Sequence, residues 1–201
     1  MKKLNEIISC DFDTLISGIS DDSRDIREGY LFVATKGFNV DHFDYIDKAI
    51  LNGAVAIVCD REVDVSVPCI LVDNINALYP ELCRKFYGVD TSSLSLIGIT
   101  GTDGKTTSAT IVQKLLNDDN SKCAYIGTNG LLVDGKTYHI SNTTPCISEL
   151  YSSLSIVQEH KCKSLAMEVS SEALLHNRVQ GLKYSIVAIT NITEDHLNVH
   201  K

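Results

Sequence analysis

Between a run of strand-forming residues and a run with helical spacing lies GITGTDGKTT, Gly98 to Thr107, and no other stretch restricts the fold as much. SLSLIGIT (93–100) has the character of a buried strand, and TTSATIVQKLLND (106–118) that of a helix. A Gly-rich turn joining such a strand to such a helix suits phosphate. Gly101 and Gly104 let backbone N–H groups curl around phosphate oxygens, and the helix adds its positive N-terminal end. Lys105 is the natural partner of the β- and γ-phosphates, and Thr106 can offer its hydroxyl to Mg²⁺. The spacing is a variant, because the common GxxxxGK[ST] form would need glycine where Ile99 stands. The bland alternative, a Gly-rich turn with a chance lysine, fits the strand–loop–helix context poorly.

The same alternation runs through the rest of the chain. KCAYIGT, KSLAMEVS and KYSIVAITNI read as strands, ISELYSSLSIVQEHK reads as a helix, and Asp134-Gly135 signals a hairpin between LLV and KTYHI. Such an order implies right-handed crossovers and a mainly parallel sheet. Ahead of it, YLFVAT, AVAIVCD and CILVD are short β-like runs separated by amphipathic stretches, with a helix expected over Asn76–Tyr87 and a polar linker in GVDTSS. The expected fold class is therefore α/β, with two domains. A small N-terminal α/β domain, residues 1–90, precedes a P-loop, Rossmann-like, mainly parallel-sheet domain over residues 91–201.

Composition narrows the partners. With 18 Lys and Arg against 26 Asp and Glu in 201 residues, the net charge is −8, which argues against nucleic acid. An anionic ligand must then be held by local features, since the overall field repels it. No apolar run reaches 18 residues, so no membrane span is expected, and MKKLNEIISCDFD lacks a signal peptide's apolar stretch. Seven cysteines without a CxxC pair fit reduced, buried thiols in a cytoplasmic protein, although any one of them could be a nucleophile.

Three further stretches carry candidate chemistry. Glu168, ending SLAMEVSS, places an acid at the mouth of a buried strand, where a hard cation beside a phosphate loop needs oxygen; alone it would read as an ordinary strand-end acid. TNITEDHLNVH sets Asn191, Asp195 and His196 at another strand end, and His196 could be a metal ligand, a general base or neither. SNTTPC gathers Asn142, Thr143 and Thr144 ahead of Pro145, a turn that could hold an oxygen-rich ligand or simply be solvated.

Taken in order, these motifs resemble the Mur ligases, the ATP-dependent amide-forming enzymes of peptidoglycan synthesis. GITGTDGKTT is similar to their GxxGTxGKTT loop, and DSRDIREGYLFVATKG followed by GAVAIV resembles their domain that grips a uridine nucleotide. NTTP, MEVSS with Arg178, and TNITEDHLNVH resemble the tripeptide-synthetase branch, MurE, more than MurF. The resemblance implies ATP binding by Gly101, Thr102, Asp103, Gly104, Lys105, Thr106 and Thr107. It puts Thr106, Glu168 and His196 near Mg²⁺, with Lys105, Glu168 and His196 as the catalytic set. It puts Ser23 against the UDP part of the substrate, and Asn142, Thr143, Thr144, Ser170 and Arg178 against UDP-MurNAc-L-Ala-D-Glu. The implied reaction passes the γ-phosphate to the D-glutamyl carboxylate, giving an acyl phosphate that an amino group attacks. The third amino acid, meso-diaminopimelate or L-lysine, is left open. A cytoplasmic, monomeric parent enzyme serving cell-wall synthesis, cell shape and division is also implied.

The chain departs from the family pattern in places. Glu172 stands where histidine usually follows EVSS, His176 where glutamine is frequent, and Phe38, Asn39 and Val40 replace a GHQ-type sequence. The family's metal-bridging carbamylated lysine and its C-terminal domain are expected beyond Lys201, so the chain alone is expected to be inactive. The rivals are MurF, folylpolyglutamate-like or cyanophycin-type ligases, and a nucleotide-binding fragment without turnover. A P-loop kinase is more distant.

Overall fold

Each β-like run of the first ninety residues becomes a strand. The computed structural model describes residues 1–37, 40–119 and 121–193, and the chain divides into two units, Met1–Gly88 and Val89–Lys201. In the first unit, β1 (Lys2–Lys3) pairs antiparallel with β2 (Leu15–Ile16) around the single-turn helix α1 (Leu4–Ile7). Then follow β3 (Gly18–Ser20), β4 (Tyr30–Val33), a 3₁₀ turn over His42–Tyr45 leading into α2 (Ile46–Leu51), β5 (Ala54–Cys59), β6 (Cys69–Leu71) and α3 (Ile75–Tyr87). Strands β3 to β6 form one sheet in chain order, and every pair is parallel. Ile46 and Ala49 lie three residues apart on α2 and close onto Phe32, Ala34, Ala54 and Ile57 of the sheet region, which is why the amphipathic pattern there is helical.

Helix α3 starts where its sequence provides a cap. The Asn74 side chain accepts a hydrogen bond from the Ala77 amide at 3.0 Å, satisfying one of the amides that a helix start leaves open. At the other end Arg84 and Lys85 stand in the last turn, where cations suit the helix dipole. Asn74→Ala should cost about 1 kcal/mol of unfolding free energy. Chemical denaturation would read that loss, and an unchanged midpoint would show that the cap contributes nothing.

The second unit carries the wider sheet. Its elements are β7 (Ser95–Thr100), α4 (Lys105–Asp118), β8 (Cys123–Gly127), β9 (Gly130–Val133), β10 (Lys136–Tyr138), α5 (Ile147–Glu159), β11 (Ser164–Glu168), α6 (Ser171–Leu175) and β12 (Ile186–Ile189). The order across the sheet is β10-β9-β8-β11-β7-β12. Strands β8, β11, β7 and β12 are mutually parallel, and β8, β9 and β10 form an antiparallel meander. Asp134 and Gly135, with φ of 52° and 75°, make the two-residue turn between β9 and β10 that matches the twist of the flanking strands. The helix α4 lays Ala109 and Val112 against Ile97, Ile99, Cys123, Tyr125 and Ala166. At the edge of the sheet, β12 keeps Ile186, Val187 and Ile189 more than half exposed. Among the described residues no helix is long and apolar enough to cross a membrane.

The cysteines are free thiols, and they are less uniformly interior than their apolar surroundings suggest. Cys59, Cys83 and Cys123 are buried, while Cys10, Cys69, Cys146 and Cys162 are half-buried.

Candidate active site

Parallel pairing brings the phosphate loop and Glu168 together. Glu168 pairs with Ile99 in the register of β11 and β7, so the loop after β7 and the acid ending β11 meet at the carboxyl end of the sheet. There the Thr106 hydroxyl donates to Glu168 Oε2 at 2.8 Å. Glu168 is 0% exposed. Its other oxygen, Oε1, accepts from the Tyr125 hydroxyl and from the Thr128 amide, the latter at 3.0 Å. The Thr128 hydroxyl lies 3.4 Å from Oε2. These donors, the ones found among the described residues, are all neutral. Burial and the Glu168 hydrogen bond push the Tyr125 phenol well above its ordinary value, so it stays a proton donor. A Cβ at Gly127 would run into both the Glu168 carboxylate and the Tyr125 hydroxyl, which explains glycine at the end of β8.

The loop is shaped from across the sheet. Gly101 has φ +137°, and a Cβ there would meet Thr190 Oγ1 and the Asn191 backbone. The Asp103 amide donates to Asn191 Oδ1 at 3.0 Å, and the Thr102 amide to the Asn191 carbonyl at 3.3 Å. Thr190, just past β12, donates its hydroxyl to the Asp103 carbonyl at 2.5 Å. Lys105 folds back, with Nζ donating to the Gly101 carbonyl at 2.6 Å and the Thr102 carbonyl at 2.8 Å. Gly104 precedes the first turn of α4, whose amides open toward the loop.

A cleft of about 500 Å³ opens over this point, walled by Thr102 to Thr107, Thr128, Asn142 to Thr144, Glu168, Ser170, Glu172 and Arg178. The two threonines of its far wall differ. Thr143 turns its hydroxyl to Thr128 Oγ1 at 3.2 Å. Thr144 is 0% exposed, and its hydroxyl donates to the Glu168 carbonyl and accepts from the Ser170 amide, both at 3.0 Å. Arg178 Nη1 donates to the Thr144 carbonyl at 3.2 Å, and Ser170 caps α6 by accepting from the Ala173 amide. Thr144, Ser170 and Arg178 thus brace one another behind Glu168.

The first unit has its own cavity of about 250 Å³, lined by Asp21, Asp22, Ser23, Arg24, Val40, His42, Tyr45 and Lys48. Beneath it, Asp21 accepts from the hydroxyls of Thr35 and Tyr79, each at 3.1 Å, with His42 Nδ1 at 3.6 Å. Burial pushes the Asp21 carboxyl up, against the pull of His42.

Comparison with known families decides what this architecture belongs to. The model described as the Mur ligase middle domain matches residues 99–201, and the one described as the Mur ligase family catalytic domain matches residues 15–87. The chain belongs to the Mur ligase family. It is 41% identical to a UDP-N-acetylmuramoyl-L-alanyl-D-glutamate–2,6-diaminopimelate ligase of Bacillus cereus, over 99% of this chain and 42% of that protein. The ligase of the same name in Lactiplantibacillus plantarum is 35% identical, over 100% of this chain and 40% of that protein. A solved structure of a ligase with that name aligns at a TM-score of 0.73 and 25% identity, over 97% of this chain and 41% of the other. MurF of Thermotoga maritima in complex with ADP aligns at 0.51 and 28% identity, over 79% and 33%. This Mur ligase chain spans about two-fifths of the length of the curated relatives it matches.

Of the residues singled out in the sequence, Thr102 to Thr107, Asn142, Thr143, Thr144, Glu168, Ser170 and Arg178 line the one cleft, and Ser23 lines the cavity of the first unit. Gly101 sits at the root of the loop. Phe38, Asn39, Asp195 and His196 lie outside the described residues. Tyr125, Gly127 and Thr128 were not visible as site residues, because KCAYIGT carries only the apolar signature of a buried strand.

Proposed function

We propose that this chain performs the ATP-binding and UDP-substrate-binding tasks of an amide ligase of peptidoglycan precursor synthesis, which adds the third amino acid to UDP-MurNAc-L-Ala-D-Glu. The observation that carries the reading is the Thr106–Glu168 contact, at 2.8 Å in the cleft shared by the phosphate loop and the Asn142–Thr144 turn. The names of the relatives support diaminopimelate as the incoming amino acid. The cavity around Ser23 is assigned to the uridine nucleotide.

ATP would lie along the loop, with amides of Thr102 to Thr107 and Lys105 facing its β- and γ-phosphates. Thr143, Asn142 and Arg178 would orient the D-glutamyl carboxylate for attack on the γ-phosphorus, giving ADP and an acyl phosphate. The amine then displaces phosphate and forms the amide. Because carboxylate and triphosphate repel each other, positive charge fixed in the cleft is the main catalytic contribution. Thr106 Oγ1 and Glu168 Oε2 are hard oxygen donors that fit Mg²⁺, which when bound supplies charge neutralisation at the phosphates. A buried carboxylate whose donors among the described residues are all neutral suits a cation, since isolated buried charge is costly.

Calorimetric titration with MgADP, and separately with UDP-muramoyl-dipeptide, tests both halves; saturable binding of each is expected. Exchanging this chain for the matching region of the Bacillus cereus ligase tests the reaction itself. A well-folded hybrid that bound both ligands but made no tripeptide product by mass spectrometry would refute the assignment.

A further inference from the structure

We propose that Tyr125 is a positioning residue that turns a single oxygen of Glu168, Oε2, toward the cleft and keeps the other away from any cation there. The inference rests on the ATP- and Mg²⁺-binding reading above and assigns a role to a side chain on a different strand.

Strand register creates the contact. Tyr125 pairs with Ala166 across β8 and β11, so it lies on the same face as Glu168, two residues further along. Its ring reaches along the sheet, and its hydroxyl donates to Glu168 Oε1. The Thr128 amide donates to that same oxygen at 3.0 Å. Gly127, between them, leaves the space that a side chain would fill. Among the described residues Oε1 therefore has two donors, one within β8 and one just past it, fixed by a 0% exposed ring and by backbone. Among the described residues Oε2 meets only hydroxyls, Thr106 at 2.8 Å and Thr128 at 3.4 Å, which can rotate to offer lone pairs instead of protons. The carboxylate is thus held against the rotation that would present both oxygens at once. Glu168 Oε2 and the Thr106 hydroxyl are the oxygens that would hold a cation here, which would supply charge neutralisation beside the loop.

Tyr125→Phe removes the hydroxyl and keeps the ring. A fluorescent ADP analogue is titrated onto the 201-residue chain with EDTA, and then with rising Mg²⁺, for wild type, Tyr125→Phe, Glu168→Gln and the double variant. Direct Mn²⁺ binding by electron paramagnetic resonance accompanies it. Tyr125→Phe should raise the Mg²⁺ and Mn²⁺ concentrations needed by about tenfold, as loss of an outer partner of a metal ligand does. Metal-free nucleotide affinity should stay unchanged, and the Tyr125 effect should vanish in the Glu168→Gln background. An unchanged metal requirement overturns the proposal. So does an equal loss of metal-free and metal-supported binding, which would make Tyr125 a packing residue only. Wild-type chain that binds no nucleotide would instead overturn the underlying ATP-site reading.

Discussion

Lys105→Ala should weaken MgADP binding by about tenfold to a hundredfold, the loss of one charge-assisted contact, and leave the thermal midpoint of the chain near that of wild type. The lysine starts α4 and reaches back over the loop, where its ammonium rests on two carbonyls, those of Gly101 and Thr102. These bonds span three and four residues of the same loop and join no separate elements, so their removal costs the fold little. A phosphate would draw the ammonium off those carbonyls, and the net gain is what the alanine variant forfeits. In the Bacillus cereus hybrid the same change should lower the ligation rate by about 10²–10³, since a cation aimed at developing phosphate charge acts mainly in the transition state. Near-normal MgADP affinity with an unchanged midpoint would remove Lys105 from the site.

Glu168→Gln should produce the largest change in metal dependence. The inner oxygen meets two donors, one of them the fixed Thr128 amide, so the amide oxygen must occupy that place. The NH₂ group then faces Thr106 and Thr128, whose hydroxyls can turn to accept from it. The variant should therefore fold, but it offers protons where a cation needs lone pairs. The Mg²⁺ concentration supporting nucleotide binding should rise by at least about a hundredfold, the upper end of what outer partners of metal ligands cost. Metal-free binding should hardly move, or improve, because a negative charge near the phosphates has gone. A Mg²⁺ titration superimposable on that of wild type would return Glu168 to a purely structural role.

The sequence disclosed those parts of the site that are local. The Gly101-to-Thr107 loop is legible because its glycines, lysine and threonines act within one turn, between a strand and a helix that announce themselves by their patterns. The Asp134-Gly135 turn is legible for the same reason. Glu168 needed more, since its value depends on β11 lying beside β7, a pairing between segments 69 residues apart in the register Glu168↔Ile99. Tyr125 was beyond reach. A tyrosine in an apolar strand reads as core, and its ring is indeed core; only the register of β8 on β11 carries its hydroxyl to the carboxylate. Thr144 illustrates the reverse, a polar turn residue whose hydroxyl bonds the backbone at Glu168 and Ser170. The ribbon of β1 and β2 has two residues per strand, too short for alternation to register.

The lacing of the phosphate loop by Thr190 and Asn191 has a kinetic consequence. The loop's amides and carbonyls reach their final places only when a segment nearly ninety residues later in the chain has docked beside β7, as the 88-residue separation of the Asp103–Asn191 bond shows. Helix α4 and the β8–β9–β10 meander need no such long-range closure, and their contacts can form early. Competence to grip a nucleotide should therefore be among the last properties acquired on refolding. In a stopped-flow experiment, the fluorescence change of a bound ADP analogue should lag behind recovery of far-ultraviolet circular dichroism. Asn191→Ala should lengthen that lag while leaving the earlier phase unaltered. Two coincident phases would mean that the loop takes its shape without help from the far end of the sheet.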